Sequence, residues 1–152
     1  MRRWLGRGWV ACLVIVFVPL TAFSQSGDQS AEIKEKAGDI KQIRLALLDW
    51  RDAWESKDLD RYVAAYSKTF RYKGMSIPGF KTYKKTVFDN AGFINVDLTK
   101  VTISVENGTA IVQFIQKYAT ADSGDVGKKT LKFVKEGGGW KIKEEVWAKI
   151  GS

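Results

Sequence analysis

The most restrictive feature of this chain is the stretch from Val96 to Trp147. It alternates apolar and polar residues between glycine-bearing breaks at Asn107-Gly108, Ser123-Gly124 and Gly137-Gly138-Gly139. A period of two sends successive side chains to opposite faces of a strand. Asn-Gly between two such runs is the strongest short hairpin signal. Val112, Phe114, Gln116 and Tyr118 share one face of the second run, and Gln113, Ile115 and Lys117 share the other. Leu131 and Phe133 oppose Lys132, with Val134 breaking the polar pattern of that outer face, while Trp140 and Ile142 oppose Lys141 and Lys143. Strands with one apolar and one lysine-rich face describe an antiparallel sheet covered on one side. Val96 and Leu98 have one parity, Val101, Ile103 and Val105 the other, so the first run needs a bulge or sharp bend near Thr99-Lys100. That bend curls the sheet.

The cover comes from upstream. Ile40, Ile43, Leu47, Trp50 and Trp54 recur at steps of three and four, which builds one apolar stripe on a helix. Asp39 is expected to cap its start, and the helix should end near Ser56-Lys57. Asp58 caps a second, short helix whose Leu59, Tyr62, Val63 and Tyr66 fall on one face. Phe70 to Lys73 reads as a brief strand ending at Gly74, and Ile77-Pro78-Gly79-Phe80 as a turn. Lys81 to Asn90 reads as a third helix, with Gly92 as its left-handed cap. Helices followed by a meander of strands give an α+β fold with the helices on one face of a curved antiparallel sheet. Its shape is a cone, shut at the apolar end and hollow at the wider one.

Residues 1–24 have the pattern of a signal peptide: Arg2, Arg3 and Arg7, an apolar run from Trp9 to about Leu20, then Ala22 and Ser24 at small-residue cleavage positions. Residues 25–38 read as a polar tether or loose helical arm, and residues 39–150 as the domain. The sole cysteine, Cys12, leaves with the leader, and the chain has no histidine. Cys–His and Ser-His-Asp chemistry and the usual zinc sites are thereby excluded. No cofactor or metal is expected. Catalysis, if present, falls to carboxylate, tyrosine, lysine, arginine or serine. The whole chain carries a net charge of +8, and loss of the leader's three arginines leaves about +5, a balance that suits contact with anionic envelope polymers or lipid head groups or serves solubility alone.

Trp50-Arg-Asp-Ala-Trp54, Lys57-Asp58-Leu59-Asp60, Tyr62 with Tyr66 and Phe70, Val112 to Tyr118, Lys129 to Phe133 and Gly139 to Glu145 together resemble the nuclear-transport-factor-2-like (SnoaL-like) superfamily of conical folds. More narrowly, the chain is similar to the accessory domain of exported L,D-transpeptidase-type and L,D-carboxypeptidase-type cell-wall proteins. The resemblance covers about Ile40 to Trp147. It implies the cone, a pocket and an envelope setting. It does not carry over wall hydrolysis, because those enzymes act through a cysteine and a histidine in a separate catalytic domain.

Three surfaces are candidates for function. Trp54, Tyr66, Phe114, Gln116, Tyr118 and Glu145 are the expected ligand-binding lining, since aromatic walls with a few polar groups suit a small molecule. The bland alternative is that the aromatics are core. If the domain is an enzyme of isomerase, cyclase or dehydratase type, Glu145 with Tyr118 or Tyr66 would carry acid–base chemistry. Ile115, Lys117, Lys132, Val134, Lys141 and Lys143 form an outer face for an envelope polymer or a second copy of the chain, or simply a solvated one. The expected function is binding of a small ligand, a cell-wall fragment or an envelope partner without catalysis, in the periplasm or outside the cell. Nucleic acid is not an expected partner, and the membrane is met only through an uncleaved leader.

Overall fold

The computed structural model describes residues 25–150, so the leader expected at 1–24 lies outside the described residues. Three helices are followed by four strands: α1 (Gln25–Glu55), α2 (Leu59–Ala64), α3 (Ile77–Asn90), β1 (Asn95–Glu106), β2 (Thr109–Ala119), β3 (Gly124–Glu136) and β4 (Gly139–Lys149). The strands form one antiparallel sheet in the order β1-β2-β3-β4.

α1 starts earlier than the capping signal indicates. Residues 25–38 continue the helix, and Asp39 sits inside it, 3.0 Å from Lys135 Nζ. The arm is rich in Ala, Glu and Lys and has no proline. Its two glycines, Gly27 in the first turn and Gly38 in the interior, cost at most about 1 kcal/mol each in such a run. Of the expected stripe, Ile43, Leu47, Trp50 and Trp54 are buried and Ile40 is half-buried, and Ala53 is buried beside them. The helix stops at Lys57, whose φ of 57° is left-handed. Asp58 then caps α2 by accepting a hydrogen bond from Arg61 N at 3.1 Å.

α3 absorbs the residues read as a turn. Ser76 is its N-cap, and Pro78 lies in the first turn, where a missing N–H costs nothing. Its C-terminus is not closed by a left-handed Gly92. Ala91 is extended there, and Lys57 Nζ donates to Ala91 O at 2.9 Å and Gly92 O at 3.3 Å. A cation at a helix C-terminus satisfies the orphan carbonyls equally well. Nor is Phe70 to Lys73 a strand. The chain instead makes a tight turn bridging Tyr72 and Met75, with Lys73 and Gly74 at positive φ.

The sheet has two irregularities. The first, between Thr99 and Thr102, is the expected one, with Lys100 at φ 53°. The second lies in the β3–β4 ladder: Phe133 faces Ile142 and Lys132 faces Glu144, so Lys143 is left over. The sheet curls around the helices, and the core between them is aromatic. Trp50, Tyr62, Phe70, Phe80, Phe114 and Phe133 are all fully buried. Segment 65–67 runs beside β4, with Ile142 N donating to Ala65 O and Ser67 N to Ile142 O, both at 2.9 Å. This closes the cone along that edge.

Candidate functional site

The second bulge determines which acid faces inward. Counting by twos from Trp140 and Ile142 would send Glu144 into the cone. The extra residue Lys143 reverses the phase, so Glu145 pairs opposite Leu131 and Trp147 opposite Lys129 on the concave face. Glu144 stays outside and meets Lys132 at 3.1 Å.

Glu145 is held from two sides. Lys129 Nζ lies 3.2 Å from its Oε2, and the two side chains are only 9% and 7% exposed. The Tyr66 hydroxyl donates to the same oxygen at 3.1 Å. Tyr66 in turn accepts from Trp50 Nε1 at 3.0 Å. A phenol has one proton, and Tyr66 has spent its own on Glu145. The 2.9 Å contact between Tyr62 and Tyr66 therefore has Tyr62 as donor. Burial first, and then the charge of Glu145, push both phenols well above the usual tyrosine range.

Glu145 and Lys129 lie at the base of a cleft of about 700 Å³. Trp54 and Lys84 line it from the helices, Gln116, Tyr118 and Trp147 from the sheet, and Arg71, Lys73 and Asp125 are further lining residues. Trp54 and Tyr118 stack with centroids 5.3 Å apart. Trp147 lies across Gly127, where a Cβ would come within 2.6 Å of the indole. Here the missing side chain makes room for the wall. Gln116 is 3% exposed and its Oε1 has no partner, as is also true of Trp54 Nε1.

Lys84 is the second cation of this cleft. It occupies the buried face of α3 with Phe80 and Phe88, at steps of four. Its Nζ lies 5.1 Å from the Trp54 ring centroid, 5.3 Å from Tyr62 and 5.6 Å from Phe80. Burial lowers its pKa to about 8, offset in part by Glu145 and reinforced by Lys129. A lysine whose folded pKa is depressed binds fewer protons folded than unfolded between about pH 8 and the ordinary value of 10.5. Stability contributed at this position therefore rises with pH across that window and is lowest below it. Lys84→Met is expected to raise the midpoint of urea unfolding at pH 7 and to flatten its rise between pH 8 and 10. An unchanged midpoint and slope would contradict this placement. Above pH 10 the buried Tyr62 and Tyr66 act in the opposite sense.

Of the six residues expected to line the pocket, Trp54, Gln116, Tyr118 and Glu145 do so. Phe114 does not. It is 2% exposed and packs on Trp50 at 6.3 Å, beneath the floor, because the helix lies directly over that part of β2. Tyr66 is behind the cleft and touches it only through Glu145. Lys129 and Lys84 were missed. Lys129 is two residues before Leu131 on the inner parity of β3, and Lys84 lies midway between Phe80 and Phe88, so both patterns carried the signal. The outer face is less free than its composition suggests. Lys132 pairs with Glu144, Lys141 Nζ donates to Ala64 O at 2.7 Å, and Lys143 Nζ reaches Thr69. Ile115 and Val134 are half-buried and Lys117 exposed, with Ile111, Val126 and Val146 among the exposed apolar side chains. Asp49 and Asp52 are bound by Arg61 and Arg51.

The solved structure of Bdellovibrio bacteriovorus Bd1075 is similar to this chain, with a TM-score of 0.68 and 28% identity, covering 73% of this chain and 40% of that one. The helical cell shape determining protein Pgp2 from Campylobacter jejuni gives a TM-score of 0.57 and 25% identity, over 66% of this chain and 38% of that one. A dehydratase-type protein of the NTF2-like family from Streptomyces avermitilis gives 0.67 at 16% identity, over 76% and 99%, a likeness of fold alone. No curated protein matches the chain in sequence. Residues 42–146 match the family described as the Cds6 C-terminal NTF2-like domain, and the conical fold is that of NTF2-like proteins. The chain belongs to this family.

Proposed function

We propose that the domain binds a small anionic molecule in the cleft, and does so in the cell envelope. The observation that carries this reading is the surplus cation. Lys129 and Glu145 neutralise one another, while Lys84 stands in the same cleft with no carboxylate in contact among the described residues. Arg71 and Lys73 add two further positive charges to the lining against one from Asp125. A buried charge is costly unless paired, and a carboxylate on the ligand would supply the pair.

The envelope setting is supported by the leader-like N-terminus and by the likeness to a cell shape determining protein, of which this chain spans 38%. Together with the resemblance to the accessory domain of L,D-transpeptidase-type proteins, they favour a cell-wall fragment bearing a free carboxylate. Isothermal calorimetry with muropeptides and envelope carboxylates tests this. Binding by carboxylate members and its loss in Lys84→Met is the expected result. No heat and no thermal stabilisation from any carboxylate would overturn it.

The hydrogen bond from Tyr66 to Glu145 favours a second reading, a pocket enzyme of dehydratase, isomerase or cyclase type. In that case Glu145→Gln would abolish turnover in a folded protein. Full turnover in that variant would remove the acid from the mechanism.

A further inference from the structure

Lys84 differs from the other lysines of the chain in the company it keeps. Its side chain is 9% exposed, yet it lines a cleft large enough for a small molecule. Trp54, Tyr62, Phe80 and Tyr83 surround the amine at 5.1–5.9 Å. Glu145, the nearest acid in the cleft, already holds Lys129 and Tyr66. An amine desolvated among apolar groups, beside a second cation, is in the setting that frees its lone pair for attack. The aromatic faces favour the ammonium form, but burial outweighs them here.

We propose that Lys84 is a nucleophilic amine that captures small aldehydes and ketones as imines. The neutral Nζ would attack the carbonyl carbon, forming a C–N bond while the carbonyl pair moves to oxygen. One proton passes from nitrogen to that oxygen, giving a carbinolamine. The nitrogen lone pair then expels the hydroxyl, which leaves as water after protonation. The iminium so formed returns its N–H proton to the donor, leaving an imine, and amine plus carbonyl compound equals imine plus water. The proton for the dehydration comes from water in the open cleft, which Lys129 also lines. No oxidant or reductant takes part. The preference among carbonyl compounds for one with a carboxylate, such as a 2-oxo acid, rests on the anionic reading of the cleft given above. The amine's reactivity does not.

The test is reductive trapping on the full chain at pH 7. The protein is treated with glyoxylate, or with uncharged propanal, in the presence of cyanoborohydride, and the modified lysines are located by peptide mass spectrometry. Lys84 is expected to label at least about tenfold faster than any surface lysine, because more of it is unprotonated. Its rate should rise with pH and level off above about 8. Lys84→Met should lose that fast site while the surface lysines label as before. Capture of propanal but not of glyoxylate would retain the reactive amine and overturn the anionic reading. Labelling of Lys84 no faster than the surface lysines by either aldehyde, in protein that still binds carboxylates, would overturn this proposal alone.

Discussion

Lys129→Met is expected to destabilise the domain by roughly 3–5 kcal/mol, the usual cost of removing one member of a buried ion pair. The loss does not come from the attraction alone. Glu145 would remain 7% exposed on the concave face, with the Tyr66 hydroxyl as its remaining hydrogen-bond partner among those observed. Replacing both charges at once removes that uncompensated group. The double variant Lys129→Met/Glu145→Leu should therefore be closer to the parent than either single change, since apolar replacements of a buried pair are often neutral. Urea unfolding of the four proteins gives the comparison directly. Single and double changes adding independently would mean that the pair is solvated and that the cleft's charge balance is not as described.

Trp50→Ala should cost a further class of energy, about 3–5 kcal/mol for an aromatic deleted from a filled core. Trp50 is fully buried and lies within 6.3 Å, centroid to centroid, of Trp54, Tyr62 and Phe114. Domains of this kind have about 5–15 kcal/mol in total, so the variant would sit close to unfolding at room temperature. Trp50→Phe separates two contributions. It keeps most of the apolar volume but removes the Nε1 donor to Tyr66, and a smaller cost, about 1–3 kcal/mol, follows from the unmade bond. Circular dichroism against urea measures both. A Trp50→Ala protein as stable as the parent would mean that the helix does not nest in the sheet.

The parts of the fold that depend on local repetition were legible in the sequence. The stripe of α1, the faces of β2 and the bend at Lys100 all follow from counting residues, and the structure keeps each of them. The boundaries were less legible, because helix ends are decided by competing partners. Lys57 does at the end of α3 what a glycine was expected to do. The site was read in outline and missed in its charges. Lys129 and Lys84 were not counted among the lining residues, yet both are buried, because an acid receives the first and a set of rings the second. Glu145 could be named but not aimed. Its direction depends on a ladder irregularity that involves β3 as much as β4, and no count along one strand reveals it.

That irregularity links two parts of the molecule which have no sequence in common. Lys143, having no opposite number in the ladder, extends its amine to Thr69 on the connection between α2 and α3. The surplus residue thus acts as a tie rod as well as a phase shifter. Excising it would restore simple alternation from Ile142 onward and leave Glu145 still turned inward, but the connection to Thr69 would come loose. Inward aim and loop anchorage can then be varied separately, by deletion for the second and by insertion for the first.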